Sequence, residues 1–107
     1  MHIQFNTDSS IEGRDTLFAS FRPDIEKTLE RFSEHLTRLE IHVSDVNGDK
    51  KADDDVHCTL EARREGKKPN VVTNQAANPR QAVLGAVDKL KRSLESDLGR
   101  ERDKARR

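Results

Sequence analysis

The sequence predicts an α+β domain of two layers, a four-stranded sheet with two helices packed on one face. Two stretches repeat apolar residues at intervals of three and four, the period of a helix, and four stretches alternate polar with apolar residues, the period of a strand. Only 32% of the 107 residues are hydrophobic, and there is no Trp or Tyr. Because so few apolar residues fill only a thin core, we expect two layers in the order β-α-β-β-β-α.

The first strand and the first helix are predicted in the N-terminal third. Residues 2–6 alternate, with Ile3 and Phe5 facing inward. From Asp15, a suitable N-cap residue, helical spacing is kept by Phe18, Phe21, Ile25, Leu29, Phe32 and Leu36. Pro23 interrupts the pattern, because a proline inside a helix removes a hydrogen bond and clashes with the preceding turn. We expect either a kink or a short helix followed by a longer one from Pro23.

Three further strands are predicted at residues 38–44, 56–64 and about 70–76. The connection at residues 45–55 holds Asn47-Gly48 and five acidic residues, which is typical of a long turn between antiparallel neighbours. Residues 64–69 form a second, tight turn that is rich in cations. The apolar side of these strands is expected to face the helices, and the polar side is expected to face solvent.

The second helix has the clearest sequence pattern. Asn78 can cap its first turn, Pro79 suits the first helical position, and Gln81 completes an approximate capping box. The predicted buried face consists of Ala82, Val83, Ala86, Val87, Leu90, Leu94 and Leu98. The predicted outer face carries Arg80, Lys89, Lys91 and Arg92. Residues 99–107 continue no apolar stripe, so we expect a single domain over residues 1–98 and a basic tail, frayed or disordered, over 99–107.

Charge is distributed unevenly, although the formal net charge is zero. Residues 1–55 carry 7 Lys and Arg against 13 Asp and Glu, a net charge of −6, and residues 56–107 carry 13 against 7, a net charge of +6. If the two halves lie on different faces, this dipole can orient the protein on a polyanion. An ordinary solvated surface is the alternative.

The composition also bounds the setting in which the protein acts. No run approaches the roughly 20 apolar residues that a membrane span requires, and the N-terminus does not have the pattern of a secretory signal. The single Cys excludes an intrachain disulfide. We therefore expect a cytoplasmic, reducing environment and no membrane partner.

Few residues offer a catalytic or metal site. His57 and Cys58 are neighbours on a predicted strand and so point to opposite faces, which excludes a dyad between them. Cys58 is expected in the core. His2, His42 and His57 share the open face and can in principle bind zinc, but they do not have the spacing of a known site, so ordinary surface histidines are favoured. We expect no catalytic residue, metal or cofactor, and no small-molecule substrate.

The acidic turn is the other candidate metal site. Asp45, Asn47 and Asp49 alternate as in a calcium-binding loop. However, Gly48 occupies the fourth position and Val56 the twelfth, where such a loop requires Glu. We expect a solvated turn that keeps the acidic side away from a polyanion.

The cations of the C-terminal half give the strongest functional signal. The candidate RNA-binding residues are Arg63, Lys67, Lys68, Lys89, Lys91 and Arg92. All four Phe residues precede residue 33, so no aromatic side chain accompanies these cations to stack an unpaired base. The pattern therefore predicts recognition of the backbone and shape of structured RNA.

Several stretches together resemble the ribosome hibernation-promoting factor family, also called the sigma-54 modulation or protein Y family. They are residues 31–45 (RFSEHLTRLEIHVSD), the following Asn-Gly loop, residues 58–63 (CTLEAR), and residues 82–94, which contain DKLKR. The resemblance covers nearly the whole chain. Lys89 and Arg92 match the family's basic helix positions, and Arg63 falls where a strand cation is usual.

This resemblance implies a topology like that of double-stranded-RNA-binding domains. It also implies that the protein binds the small ribosomal subunit and its ribosomal RNA, occupies the channel used by messenger and transfer RNA, and silences translation in stationary or stressed cells. Other hibernation factors are implied as further partners. The sequence departs from the family at Pro23, in the Asp-rich turn, and in having no C-terminal dimerisation domain as in the long forms. We therefore expect no pairing of ribosomes by this chain unaided.

The sequence thus predicts a non-catalytic ribosome-binding stress factor. Two alternatives stay open: a generic module for structured RNA that is not specific to ribosomes, and a metal-dependent regulator or enzyme that uses the histidines or the acidic turn.

Overall fold

A computed structural model describes residues 1–8, 13–45 and 55–105. Its strands are β1 (His2–Thr7), β2 (Arg38–Asp45), β3 (Val56–Arg63) and β4 (Asn70–Ala76), and its helices are α1 (Arg14–Thr28) and α2 (Pro79–Ala105). A short 3-10 segment, Glu30–Phe32, follows α1. The predicted order β-α-β-β-β-α and the α+β class are confirmed. The predicted acidic turn lies mostly at residues 46–54, outside the described residues.

The four strands form one sheet in the order β1-β2-β3-β4. β1 runs parallel to β2, which is possible because α1 supplies the crossover connection between them. β2 with β3 and β3 with β4 are antiparallel, and the register places Val43 opposite Cys58 and Ile41 opposite Leu60. β1 and β4 are therefore the two edges of the sheet.

One face of the sheet forms the core with the two helices, as predicted. Alternate residues of β2 and β3 are buried there, and α2 packs over β3 and β4. α1 covers the β1 side, where the ring of Phe5 stacks on Phe18 at 5.2 Å between centroids and meets Phe21 edge-on at 5.3 Å. The other face, called the open face below, is uncovered, and Val71 is 58% exposed on it.

The first helix differs from its prediction at both ends. Gly13, in the left-handed region with φ 67°, occupies the N-cap position, and Asp15 lies inside the first turn rather than capping it. α1 ends at Thr28, so Phe32 and Leu36 are buried from the 3-10 segment and the turn after it. The helical spacing of apolar residues continues beyond the end of α1 because Phe32 and Leu36 pack into the same core as the buried residues of the helix.

Pro23 lies inside α1, and the helix is one element from Arg14 to Thr28 rather than two. The proline removes the hydrogen bond to the carbonyl of Ala19, which lies on the exposed side where water can replace it. Phe21 and Ile25, both 0% exposed, hold the helix to the core on either side of the proline.

The second helix begins as predicted. The side chain of Asn78 accepts a hydrogen bond from the Gln81 amide at 2.9 Å, and its carbonyl accepts one from the Ala82 amide at 3.0 Å. The six predicted residues from Ala82 to Leu94 are buried, and Leu98 packs against the core while staying partly exposed. The helix does not end near Leu98 but continues to Ala105, so residues 99–105 are helical.

Cys58 is confirmed as a core residue. It is 0% exposed, and burial raises the pKa of its thiol to about 12. Cys58→Ser is expected to lower the free energy of unfolding by about 1 to 3 kcal/mol, because a hydroxyl would be buried in an apolar site. Chemical denaturation measures this difference. Because the thiolate is the nucleophile that attacks a thiol reagent, native labelling of the wild type should be slow, and rapid labelling would contradict the assignment.

Candidate nucleic-acid interface

The six predicted RNA-binding cations lie at two places on the fold. Arg63 ends β3, and Lys67 and Lys68 lie in the turn between β3 and β4. The other three residues, Lys89, Lys91 and Arg92, lie in the middle of α2, which packs on the face of the sheet opposite to the one that carries Arg63. The sequence pattern had placed them near the second turn and on the second helix, and the structure has the same division into a turn group and a helix group.

The turn group is set by a tight bend. Gly66 adopts φ 72°, a left-handed conformation that costs glycine little, and the Lys67 amide donates a hydrogen bond to the Arg64 carbonyl at 3.2 Å. This bend leaves the side chains of Lys67 and Lys68 exposed beside the end of β3. Lys67 lies 3.6 Å from a carboxylate oxygen of Glu101.

Arg63 lies on the open face, exposed, with its guanidinium 3.1 Å from Glu61. The register places it directly opposite Arg38 of β2, a residue that is not among the six predicted RNA-binding cations. Arg38 in turn lies 3.0 Å from Glu40. The spacing 38, 40, 42 put Arg38 on the polar side of β2, but which residue of β3 faces it depends on the register across the connection at residues 46–54.

In the helix group, Lys89 lies on the flank of α2 that faces β4 rather than directly opposite the buried stripe. Its ammonium donates a hydrogen bond to the Thr73 carbonyl on the edge strand at 2.9 Å. The strand comes this close because Gly85 has no side chain: a Cβ there would collide with the amide of Asn74, which donates to the Ala82 carbonyl at 3.1 Å.

Arg92 is exposed and its Nε donates to the Asp88 carbonyl at a long 3.4 Å. Lys91, half-buried, lines a shallow groove on α2 together with Arg92, Asp88 and Glu95. Within the described residues, none of the three helix cations forms an ion pair with a carboxylate, and neither does Lys68 in the turn. Their charge is therefore available to an external anion.

Arg64, next to the predicted Arg63, has a structural role instead. It is only 9% exposed and forms ion pairs with Asp97 at 3.7 Å and Glu101 at 3.0 Å. Asn70 also donates to Asp97, at 2.8 Å. These contacts hold α2 to the turn between β3 and β4, which explains why the helix continues past Leu98.

The same contacts lower two carboxyl pKa values. The hydrogen bond from Asn70 is the main cause for Asp97, and the hydrogen bond from Arg64 is the main cause for Glu101. A depressed pKa in the folded state stabilises the fold above the unfolded values, about 3.9 for Asp and 4.3 for Glu, and this contribution is lost as the pH falls through the folded values.

We therefore expect the last turns of α2 to lose amide-exchange protection below about pH 4, before its central turns do. Hydrogen exchange resolved by residue measures the order of loss. In Arg64→Met the pKa of Glu101, followed by NMR titration of its carboxyl carbon, should return toward the ordinary Glu value. An unchanged Glu101 pKa in this variant would contradict the assigned cause.

The histidines and the acidic residues were the alternative sites. His42 and His57 do share the open face, in a shallow depression with Thr59 and Asn6, and the ring of His42 lies 3.8 Å from Glu40. Across the described parts of the chain, no group of three or more His, Cys, Asp or Glu side chains is placed to hold a metal ion. Neither α1 nor α2 combines the length and apolar character of a membrane-crossing helix.

Comparison with known proteins gives one family and a set of similar structures. Residues 10–102 match the family described as sigma 54 modulation protein / S30EA ribosomal protein. The N-terminal domain of Protein Y from Thermus thermophilus aligns at 18% identity and a TM-score of 0.61, covering 90% of this chain and 98% of that one. A ribosomal subunit interface protein from Coxiella burnetii aligns at 17% identity and a TM-score of 0.67, covering 92% and 99%. These two likenesses show a shared fold. A search of curated proteins found no match.

Proposed function

Because the chain belongs to the family of sigma 54 modulation proteins and S30EA ribosomal proteins, we propose that it binds the small ribosomal subunit and inhibits translation during stress. The proposed position is the channel that messenger and transfer RNA use. One of the similar structures is itself described as a ribosomal subunit interface protein, which supports the assignment. The proposed role requires binding alone and no catalysis, and it places the protein in the cytoplasm.

The observation that carries the proposal is the set of cations without carboxylate partners. Lys68, Lys89, Lys91 and Arg92 form no ion pair among the described residues. Of the other twelve described Lys and Arg residues, eight form one, and four do not: Arg14, Lys27, Arg102 and Lys104. Among the cations without a carboxylate partner, Lys68 and the three helix cations are the ones that belong to the predicted RNA-binding set. Phosphate oxygens are the natural partners for such groups, because each contact releases a condensed counterion from the RNA. We therefore propose Lys68 and the three helix cations as the main phosphate contacts.

The aromatic residues support recognition of structured RNA rather than unpaired bases. Phe5, Phe21 and Phe32 are buried, and Phe18 is partly buried against Phe5. Stacking on an exposed ring is the usual way to hold an unpaired base, and these four rings are committed to the core. The ribosomal RNA of the subunit offers backbone and shape instead.

Co-sedimentation tests the proposal directly. The protein is expected to pellet with purified small ribosomal subunits in low salt and to reduce peptide synthesis in a reconstituted translation system. A duplex RNA of about 16 base pairs, added in excess, distinguishes a generic RNA-binding module. If the duplex displaces the protein as well as unlabelled subunits do, the specificity for ribosomes is wrong. If nothing pellets with subunits, the proposed function is wrong.

A further inference from the structure

The open face arranges its charged side chains in rows that run across the strands. At the end of the sheet, Arg38 lies directly opposite Arg63, and His2 of β1 lies on the other side of Arg38. In the next row, Glu40 lies directly opposite Glu61. Like charge therefore faces like charge in both rows, and Lys67 and Lys68 follow Arg63 in the adjoining turn.

This arrangement is not the one that stabilises a sheet best. Directly opposite residues have Cβ atoms about 4.5 to 5.5 Å apart, and like charges at that distance repel, whereas opposite charges attract. Here each arginine is neutralised along its own strand instead, Arg38 by Glu40 at 3.0 Å and Arg63 by Glu61 at 3.1 Å. The register therefore places the two arginines on neighbouring strands, each paired with a carboxylate of its own strand. The guanidinium of Arg38 also donates to Gln4 on β1, which lies on the other side of β2 from Arg63.

Both arginines keep hydrogen-bond donors unused. A guanidinium has five N–H donors. Arg63 donates to Glu61 and Arg38 donates to Gln4, each through one terminal nitrogen, while the Nε of Arg38 is buried and has no hydrogen-bond partner. The arginine side chains are 42% and 52% exposed, so an anion can reach both from solvent.

We propose that Arg38 and Arg63 form a clamp for one phosphodiester of the RNA backbone, and that Glu40 and Glu61 occupy this clamp until RNA replaces them. A phosphate group matches the planar fork of a guanidinium, and forks from two neighbouring strands can hold it together once Arg38 turns from Gln4 and Glu40 toward Arg63. The inference rests on the proposed function and adds a second contact surface, on the side of the sheet opposite α2.

The two glutamates then act as internal competitors. They keep the arginines ordered, but a phosphate must displace them, which lowers the affinity for RNA. Glu40→Gln with Glu61→Gln keeps oxygen acceptors while removing the competing charge, so it is expected to strengthen RNA binding about fivefold, the scale of releasing two exposed ion pairs. Removing carboxylates from elsewhere should have no such effect.

NMR of the wild-type protein titrated with a duplex RNA of about 16 base pairs tests the clamp without ribosomes. The Nε–Hε signals of Arg38 and Arg63 are expected to move together, and to move at lower RNA concentration in the Glu40→Gln/Glu61→Gln variant. Glu26→Gln on α1 with Glu30→Gln in the 3-10 segment that follows it removes the same charge and should leave the titration unchanged. Equal strengthening in both variants would show a net-charge effect and overturn the clamp.

Arginine-to-lysine variants test whether the planar geometry of the guanidinium, and not only its positive charge, is required. Arg38→Lys with Arg63→Lys keeps both charges and the pairing with the glutamates, so folding should be retained, yet RNA binding is expected to weaken about fivefold or more through loss of the fork geometry. Unchanged binding by the lysine variant would overturn the clamp. Arginine signals that move with duplex RNA while subunits fail to bind would leave the clamp standing and overturn the proposed function. In the opposite case, the wild type binds subunits, its arginine signals do not move with RNA, and the lysine variant binds as well as the wild type. That result would overturn the clamp and leave the proposed function standing.

Discussion

Raising the salt concentration from 50 to 200 mM is expected to weaken binding to the small ribosomal subunit by roughly a hundredfold or more. This follows if about four to six phosphates are neutralised, since each contact contributes about 0.9 to the slope of log K against log salt. This number of contacts is supplied by the predicted cations that form no ion pair, Lys68, Lys89, Lys91 and Arg92, together with Arg63 and Lys67 near Lys68. Fluorescence anisotropy with labelled protein at several salt concentrations measures the slope.

A matched variant tests whether Lys89 and Arg92 contribute to the slope of log K against log salt. Lys89→Gln with Arg92→Gln removes two of the contacts, so the slope should fall by about 2. A profile that is flat for the wild type would contradict recognition of the RNA backbone and would favour docking on a ribosomal protein.

The strands were predictable because a strand with one buried face alternates polar and apolar residues whatever elements it packs against. The bounds predicted for β4 are those observed, and those for β2 and β3 differ by one residue at one end. Helical ends were less predictable, because they depend on contacts that are distant in sequence. α1 stops at Thr28 although its spacing continues to Leu36, and α2 continues to Ala105 because Arg64, on the turn after β3, binds Asp97 and Glu101.

The candidate site was predictable in composition and less so in geometry. Periodicity placed Lys89 and Arg92 on the outside of α2, and both are exposed. It did not reveal that Gly85 brings β4 close enough for Lys89 to reach the Thr73 carbonyl. It also left out Arg38, because partnership with Arg63 is a property of the register between two strands, and charge alone does not set that register.

Reversing the two exposed cations of α2 is expected to weaken binding to the small subunit at least tenfold. In Lys89→Glu with Arg92→Glu, each change removes an attraction to phosphate and adds a repulsion. Their present hydrogen bonds go only to backbone carbonyls, at 2.9 Å for Lys89 and 3.4 Å for Arg92, and both side chains are exposed. The melting temperature and helical circular dichroism should therefore stay near those of the wild type, while inhibition of translation is relieved.

Two controls decide whether position or total charge produces the effect. Lys89→Arg with Arg92→Lys exchanges the residues but keeps the charge, so binding should stay within a few fold of the wild type. Glu26→Lys with Glu30→Lys alters the charge of α1 and of the 3-10 segment after it by the same amount in the opposite sense. If net charge alone governed binding, this second variant would bind tighter by about the factor that the reversal loses, whereas a localised interface predicts no change. A folded Lys89→Glu/Arg92→Glu protein that binds subunits as tightly as the wild type would show that this face of α2 is an ordinary solvated surface, and the RNA contacts would then have to lie on the turn and the open face.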